Sequence, residues 1–311
     1  MIPFIANISP AEKQHWLQRL NQCLPEVSIV ASEQLSQNQC EDALVAIVAN
    51  PEPGELRRFG NLAWVQSVWV GVEKMISLPE LKQVTIVKMV DPELTNTMAE
   101  AVLAWTLYLH REMPAYQNQQ RQHLWQPLEY VAARDRAVSV LGTGSLGTAA
   151  IHRLQLQGFK VSAWSRTAKN IAGIHHYHGL EQLDHLLEHT DILISLLPLT
   201  PVTMNLMDTH RLTRLKPGAG IINFSRADIF DYTALVRLLD QQQLKHAVLD
   251  VFNQEPLKPD NPLWGHPQIT VLPHISGPTN PETASLIVQK NIRNYLSTGK
   301  IPKGIDRQSG Y

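Results

Sequence analysis

The stretch Ala137-Val138-Ser139-Val140-Leu141-Gly142-Thr143-Gly144-Ser145-Leu146-Gly147 decides the fold that this sequence predicts. Ala137–Leu141 has the apolar pattern of a buried strand and runs directly into a G-x-G-x-x-G loop. The segment Thr148–Gln157 then has the pattern of a helix, which Gly158 ends. A strand, a glycine loop and a helix in this order are the fingerprint of a dinucleotide-binding site.

The residues of this loop each have an expected role. Gly142 permits the tight turn, Gly144 lets the backbone approach a pyrophosphate, and Gly147 lets the helix pack closely on the strand. Ser145 and Leu146 lie at the helix N-terminus, where backbone N–H groups attract phosphate. We therefore predict that these five residues contact the cofactor.

The end of the next predicted strand, Lys160–Trp164, indicates which dinucleotide is bound. Sites for NAD usually place Asp or Glu there, to accept a hydrogen bond from the ribose. This chain has Ser165, Arg166 and Thr167 instead, with Lys169 close behind. Hydroxyls and two cations suit a 2′-phosphate, which a carboxylate would repel. The pattern predicts that NADPH is preferred and NADH possible; the alternative is that Arg166 is a solvated loop residue.

Apolar runs rich in Val and Ile recur along the chain, with helix-period segments between them. Near-continuous apolar runs suit strands that are buried on both faces of a parallel sheet. The predicted strands are Leu44–Ala49, Thr85–Lys88, Val138–Leu141, Lys160–Trp164, Ile192–Leu197, Gly220–Phe224, Ala247–Val251 and Ile269–Leu272. The predicted helices include Leu180–His189, Tyr232–Gln243 and Pro281–Ser297. This alternation predicts an α/β fold.

One further helix is predicted upstream of the glycine loop. Thr97-Met98-Ala99-Glu100 fits a capping box, so the helix is expected to begin there. Met98, Val102, Trp105 and Leu109 then form a single apolar face. Two interpretations remain open, a core helix and a helix that also links two domains.

Length, charge and cysteine content exclude several classes of protein. At about 100–200 residues per domain, 311 residues predict about two domains. The formal net charge of -1 gives no bulk reason to bind nucleic acid or an anionic membrane. Cys23 and Cys40 have no metal-ligand spacing nearby, so we predict no metal site and a reducing, cytoplasmic location. Met1–Ile5 lacks the basic region and the long apolar stretch of a signal peptide, so we expect no signal peptide there. We also expect no membrane span, because no run reaches the roughly 18 apolar residues that one needs.

Three later strand ends carry polar residues that suit chemistry on an oxoacid. Arg226, Glu255 and His274 each follow a predicted strand, and parallel strands deliver their carboxyl ends to one sheet edge. Arg226 is suited to hold a carboxylate bidentately, and His274 to protonate a carbonyl oxygen. Glu255 is expected to pair with His274 and raise its pKa. Because the chain has 13 histidines, a surface or structural role for His274 stays open at this point.

From Met98 to His274 the sequence resembles the D-isomer-specific 2-hydroxyacid dehydrogenases. The motifs that carry this resemblance are Met98-Ala99-Glu100, the loop Gly142–Gly147, Leu196–Thr200, Asn223–Arg226, Leu249–Phe252 with Glu255-Pro256, and Pro262–Trp264 ahead of Pro273-His274. Within the family it is most similar to bacterial glyoxylate/hydroxypyruvate reductases of the NADPH-preferring type. That similarity rests on Trp164–Thr167, Leu124–Leu128, Asp306-Arg307 and Gly310-Tyr311.

The resemblance implies an architecture and an assembly. It implies two Rossmann-like domains with parallel sheets and an active-site cleft between them. The smaller, substrate-binding and flavodoxin-like domain is expected to comprise residues 1–99 and 280–311. The dinucleotide-binding domain is expected to comprise residues 100–279, and the enzyme to be a homodimer.

The resemblance also implies roles for single residues. Arg226, Glu255 and His274 fall on the catalytic Arg, Glu and His, with Arg226 and His274 also contacting the substrate. The backbone amides of Val70 and Gly71 are expected to hold the substrate carboxylate. The remaining two expected cofactor contacts are Asp250, which meets the nicotinamide carboxamide, and Pro198, in a loop over the cofactor.

The implied function is NADPH-dependent reduction of a small 2-oxoacid by hydride transfer. The expected substrates are glyoxylate, which yields glycolate, and hydroxypyruvate, which yields D-glycerate. The alternatives are a dehydrogenase for another 2-oxoacid and a non-catalytic dinucleotide-binding partner protein. Three departures from the family pattern bear on the substrate. Ala227-Asp228 follows Arg226 where Gly is usual, and Trp69 stands where many members have a small residue, which would narrow or cover the pocket. Ala49-Asn50-Pro51, at the end of a strand in the first domain, lacks the aromatic residue often found near the mouth.

Overall fold

The structure, a computed structural model, describes residues 1–307 and Gly310. Tyr311, one of the residues on which the subgroup resemblance rests, lies outside the described residues. The strands are β1 Ile2–Ala6, β2 Ile29–Ala31, β3 Val45–Ala49, β4 Trp64–Ser67, β5 Thr85–Val87, β6 Ala137–Leu141, β7 Lys160–Ser165, β8 His175–His178, β9 Ile192–Ser195, β10 Ala219–Asn223, β11 Leu244–Leu249 and β12 Ile269–Val271. The helices are α1 Pro10–Cys23, α2 Gln37–Glu41, α3 Pro53–Leu56, α4 Glu73–Ile76, α5 Pro92–His110, α6 Met113–Arg121, α7 Ser145–Leu156, α8 Gly179–Glu188, α9 Thr209–Leu212, α10 Tyr232–Asp240 and α11 Pro281–Thr298.

The first of two compact units comprises Met1–Leu94 and Thr279–Tyr311. Its sheet has five parallel strands in the order β2-β1-β3-β4-β5, the flavodoxin-like order. Strands β1 and β3 are buried along their whole length, as apolar strands covered on both faces should be. Helix α11 packs against α1 and contributes Ala284, Val288 and Ile292 to the core of this unit.

The second unit comprises Thr95–Pro278 and holds the glycine loop. Its sheet has seven parallel strands in the order β12-β11-β10-β9-β6-β7-β8. The direction of winding reverses between β6 and β9, which is where doubly wound folds bind their ligands. The predicted α/β fold with parallel sheets is therefore confirmed. Because all seven strands are parallel, every loop that follows a strand lies at the same edge.

The predicted start of α5 is wrong. The helix begins at Pro92 rather than at Thr97, so Thr97 lies within the helix and is not its cap. The carboxylate of Asp91 accepts a hydrogen bond of 2.8 Å from the N–H of Glu93, as an N-terminal cap does. Asp followed by Pro is itself a start signal, since Pro favours the first helical position.

The predicted apolar face of α5 lies in the core of the second unit, with its tryptophan partly buried. The helix also spans the boundary between Leu94 and Thr95, so it both packs in a core and links the two units. At 19 residues α5 is the longest helix, ahead of α11 at 18. Within residues 1–307 and Gly310, no helix combines the length and apolarity that crossing a bilayer requires.

All eight predicted strands are present, with ends shifted by up to three residues. Helix α7 begins at Ser145, three residues before the predicted start, because Gly144 already forms its cap. Strands β1, β2, β4 and β8 were not predicted. Strands β2, β4 and β8 have only three or four residues, and β8 consists of three histidines and a tyrosine at the sheet edge, a composition without the apolar pattern of a strand.

Candidate active site

The glycine loop follows β6 at the point where the winding reverses. Gly142 has φ of +102°, which favours glycine, and a Cβ there would lie 2.8 Å from the carbonyl oxygen of Leu196. A Cβ on Gly147 would collide with the carbonyl oxygen of Gly142. Beside Gly144, in contrast, no heavy atom lies within 4 Å of the Cβ position. The turn therefore needs glycine at two positions, and the third leaves open space for a ligand to approach the backbone.

The end of helix α7 completes a site that fits a dinucleotide phosphate. Gly144 is the N-cap of this 12-residue helix and has no side chain to satisfy the free N–H groups of its first turn. The hydroxyl of Thr143 is buried and has no hydrogen-bond partner among the described residues. Open space, free donors and an orphaned hydroxyl match an anionic ligand at a helix N-terminus.

A second loop, Ser165–Lys169, begins at the last residue of β7 and lies beside the glycine loop. The ammonium group of Lys169 donates a hydrogen bond of 2.7 Å to the carbonyl oxygen of Thr143. The hydroxyl of Ser165 donates one of 2.9 Å to the carbonyl oxygen of Thr167, and Arg166 is exposed. The structure thus brings the predicted cations and hydroxyls to the edge where a cofactor ribose would lie, and they fit a 2′-phosphate.

The structure brings His274 and Glu255 together. Nδ1 of His274 lies 2.8 Å from Oε2 of Glu255, and the N–H of Phe252 donates a hydrogen bond of 2.8 Å to Oε1. The carboxylate therefore fixes the imidazole ring through Nδ1, so Nε2 is the nitrogen that can serve in proton transfer.

The charges of this pair shift both pKa values. The hydrogen bond to Glu255 raises the pKa of His274 above its ordinary value, although partial burial and the Arg226 charge oppose the rise. Burial acts to raise the pKa of Glu255, but the hydrogen bonds from His274 and Phe252 outweigh it and the pKa falls. The pair is therefore poised as an ionised carboxylate beside an imidazole that keeps its proton toward higher pH.

The backbone around His274 is held by Asp250. His274 has φ of +55°, in the left-handed region that costs energy for most residues and that occurs at functional sites. The buried carboxylate of Asp250 accepts hydrogen bonds of 2.8 Å from Ile275 N–H and 2.9 Å from Ser276 N–H. Asp250 therefore fixes the turn that carries the imidazole, a role that the sequence did not indicate.

Arg226 lies just beyond β10 and is anchored through its backbone. Asn223 donates a hydrogen bond of 3.2 Å to the carbonyl oxygen of Arg226 and one of 3.1 Å to the hydroxyl of Tyr232. That hydroxyl donates one of 2.8 Å to the carbonyl oxygen of Val251, and burial raises the pKa of Tyr232 well above its ordinary value. The guanidinium donates to the carbonyl oxygen of Ser225 at 2.7 Å.

Asn223 and Tyr232 are positioning residues that sequence reasoning missed. Asn223 is fully buried at the end of an otherwise apolar strand. A buried amide must find hydrogen-bond partners, so a polar residue at that place was the available signal. Tyr232 gave no comparable signal, because it opens an amphipathic helix in which an apolar packing role accounts for it.

The remaining residues to which the sequence assigned a role lie in different units, Pro198 in the second and Trp69, Val70 and Gly71 in the first. Pro198 follows β9 at the same edge, and its carbonyl oxygen accepts a hydrogen bond of 2.7 Å from the hydroxyl of Thr203. Val70 and Gly71 belong to the first unit, where they follow β4 and are partly buried. Trp69 packs edge-on against Trp16, with ring centroids 5.9 Å apart. Its indole thus packs within the core cluster of the first unit.

Asp228, the departure from the family pattern next to Arg226, has a hydrogen-bond partner of its own. Its carboxylate accepts a hydrogen bond of 2.6 Å from Asn253.

In the described part of the chain, one exposed group of side chains has a spacing that would admit a metal ion, although the sequence predicts no metal site. It consists of His185, Glu188 and His189. Arg214 already contacts the carboxylate of Glu188 at 2.6 Å, so a cation would have to displace this ion pair.

Residues 103–276 match the model of the D-isomer specific 2-hydroxyacid dehydrogenase NAD-binding domain. Among solved structures, a D-isomer specific 2-hydroxyacid dehydrogenase from Xanthobacter autotrophicus Py2, in complex with NADPH and MES, is 32% identical. The match between the two structures covers 99% of each chain, with a TM-score of 0.92.

Two other solved structures are similar over the whole of both chains. An NADPH-dependent glyoxylate/hydroxypyruvate reductase from Sinorhizobium meliloti, in complex with NADP and sulfate, is 29% identical with a TM-score of 0.91. A probable 2-hydroxyacid dehydrogenase from Rhizobium etli CFN 42, in complex with NADP, HEPES and L(+)-tartaric acid, is 28% identical with a TM-score of 0.89.

Proposed function

Because the chain belongs to the D-isomer-specific 2-hydroxyacid dehydrogenase family, we propose that it reduces a small 2-oxoacid with NADPH. The substrates proposed are glyoxylate, which yields glycolate, and hydroxypyruvate, which yields D-glycerate. The observation that carries the proposal is the His274–Glu255 pair, in which Arg226 lies close enough to shift both pKa values. A protein that only bound a dinucleotide would not need this set.

Arg226, His274 and Glu255 each have a separate role in the proposed reaction. NADPH, when held by the glycine loop and the Ser165–Lys169 loop, would supply the hydride that reduces the substrate carbonyl. Arg226 holds the substrate carboxylate and polarises the carbonyl, whose negative charge grows in the transition state. Protonated His274 then delivers the proton from Nε2 to the carbonyl oxygen. Glu255 stays ionised and stabilises the imidazolium until the proton leaves.

The remaining predicted roles are part of the same proposal. We assign the backbone amides of Val70 and Gly71 to the substrate carboxylate, on the strength of the family resemblance. We assign Asp250 to the nicotinamide carboxamide, in addition to the turn that it holds. The first unit is then the substrate-binding domain and the second the dinucleotide-binding domain.

We further propose a cytoplasmic homodimer. The support for a dimer is an exposed apolar segment after α6, in which Trp125 is 98% exposed and Leu124 and Tyr130 are also exposed. The support for a reducing compartment is that Cys23 and Cys40 are both free thiols. Light scattering of the purified protein measures the molar mass and tests the dimer directly.

Initial rates with a panel of oxoacids test the proposed reaction. The panel consists of glyoxylate, hydroxypyruvate, pyruvate and phenylpyruvate, each with NADPH and with NADH. We expect the highest kcat/KM with NADPH and either glyoxylate or hydroxypyruvate. A higher value with pyruvate or phenylpyruvate would keep the reaction class and overturn the proposed substrate. No turnover with any oxoacid would leave only dinucleotide binding.

Arg166→Ala should raise the KM for NADPH and leave that for NADH nearly unchanged. The reason is that a charge-assisted hydrogen bond to phosphate contributes about 1.5–3 kcal/mol, or roughly ten- to 150-fold in affinity. Initial-rate kinetics with each cofactor measure the effect. Arg237→Ala, which removes an exposed arginine of α10, is the matched control. Equal losses with both cofactors would contradict the assignment of Arg166 to the 2′-phosphate.

Glu255→Gln should move the alkaline limb of the reduction profile to lower pH. Reduction requires protonated His274, so its rate falls as pH rises through the pKa of this residue. Glu255 holds that pKa above its ordinary value, and removing the charge lowers it. Oxidation of the hydroxyacid requires the neutral imidazole, so its acid limb should move to lower pH as well. A pH–rate profile in both directions, with NADPH binding measured by fluorescence, tests this.

The matched variant for this experiment is Asp240→Asn, which neutralises the carboxylate beside another histidine, His266, at 3.3 Å. Its profile should coincide with that of the wild type. An alkaline limb that stays in place in Glu255→Gln would show that Glu255 does not stabilise the acid.

A further inference from the structure

We propose that His176 is a positioning residue that sets the shape of the Ser165–Lys169 loop for the cofactor 2′-phosphate. The inference rests on the proposed preference for NADPH and extends it to a residue that does not itself touch the cofactor. It is drawn from the hydrogen bonds that join strand β8 to the end of strand β7.

His176 lies on β8, which pairs in parallel with β7, and its ring is partly buried beneath the loop. Nε2 lies 2.8 Å from the hydroxyl oxygen of Ser165, and Nδ1 accepts a hydrogen bond of 3.3 Å from the N–H of Lys169. One imidazole therefore contacts both ends of the five-residue loop. Arg166 and Thr167, which carry the expected phosphate donors, lie between these two contacts.

The hydrogen-bond directions determine the state of the ring. The hydroxyl of Ser165 donates its proton to the carbonyl oxygen of Thr167, at 2.9 Å, so it accepts from His176. Nε2 of His176 must then carry the proton, while Nδ1 must be unprotonated to accept from Lys169. Both contacts are satisfied only by the neutral ring. Burial, together with the positive charges of His178, Lys169 and His175, holds the pKa of His176 below its ordinary value and favours that form.

This arrangement leaves the proton of Ser165 available to a ligand. Because His176 donates into the serine oxygen, the hydroxyl proton must point to an acceptor elsewhere. That acceptor is the carbonyl oxygen of Thr167 here, and a 2′-phosphate oxygen is a stronger, charged acceptor. The contact with the Lys169 backbone fixes the other end of the loop, whose ammonium group reaches Thr143 in the glycine loop at 2.7 Å.

The test compares His176→Ala with the wild type in two measurements. The first is the dissociation constant, by fluorescence for NADPH and NADH and by calorimetry for adenosine 2′,5′-bisphosphate and ADP. The second is the KM and kcat with saturating oxoacid. We expect affinity for NADPH and the 2′,5′-bisphosphate to fall about tenfold, which corresponds to about 1.4 kcal/mol. Affinity for NADH and ADP should stay within about twofold, and kcat at saturating NADPH should be unchanged.

Two further variants separate positioning from general loss of structure. His176→Gln keeps an N–H donor for Ser165 and should recover most of the lost NADPH affinity. His175→Ala removes the preceding histidine of the same strand, which packs edge-on against Tyr177 and points to the opposite face. This control should bind both cofactors like the wild type.

Each outcome decides between the inference and the function on which it rests. A wild-type protein that prefers NADPH, together with unchanged NADPH affinity in His176→Ala, would overturn the inference alone. Equal losses for NADPH and NADH in that variant would also overturn it, since they indicate a structural role. A wild-type protein without preference for NADPH would overturn the proposed cofactor and the inference together.

Discussion

Replacing His274 with alanine should lower kcat for oxoacid reduction by about 10²–10⁴-fold, the range for loss of a positioned general acid. NADPH binding should be nearly unchanged, because the glycine loop belongs to other strand ends of the sheet. The effect should fall on kcat and kcat/KM alike, since the proton is transferred only in the transition state. Single-turnover kinetics with NADPH, followed by its absorbance, measure the chemical step directly.

The matched control is His266→Ala. This variant also removes an imidazole that pairs with a carboxylate in the same unit, but its partner is Asp240 rather than Glu255. It should keep the wild-type turnover. Full activity in His274→Ala would mean that the proton comes from another group, and the proposed mechanism would be wrong.

Replacing Arg226 with lysine should lower kcat/KM for glyoxylate by about 10²-fold, with a higher KM and a lower kcat. Lysine keeps the positive charge that acts on the pKa values of His274 and Glu255, so the pH profile should keep its shape. It cannot make the planar, two-bond contact with a carboxylate, and it loses the bond from the guanidinium to Ser225. The variant thus separates charge from geometry.

Arg237→Lys is the control for this exchange, because Arg237 lies exposed on α10 in the same unit. Steady-state kinetics of the two variants, with thermal unfolding to verify the fold, make the comparison. Near wild-type kinetics in Arg226→Lys would show that another group holds the substrate carboxylate.

The sequence predicted the fold where local pattern and burial agree. Strand β3 is apolar throughout and β10 is apolar up to Asn223, because neighbours cover both of their faces, and so they stand out in the sequence. Strand β8 has no such pattern, because a sheet edge does not demand apolar residues. The start of α5 was misplaced because two start signals compete, and Asp91-Pro92 prevails over Thr97.

The candidate site was predictable to the extent that its residues follow strands. Arg226 and His274 could be placed at one edge from the parallel order alone. The supporting contacts could not, because they join separate segments of the chain through a few side-chain hydrogen bonds. The carboxylate of Asp250 reaches the turn after His274, and His176 reaches back to Ser165, without any spacing that a sequence displays.

The first unit is discontinuous, and this has a consequence for synthesis on the ribosome. Strands β1–β5 emerge early, but α11, which covers part of their core, is translated only after the whole second unit. The nascent chain therefore exposes the apolar surface that Val288 and Ile292 later bury. Because domains fold as units during translation, the second unit can complete its fold before the first unit has received its last helix. Slow translation near the codons for α11 would prolong this exposure and favour recruitment of chaperones.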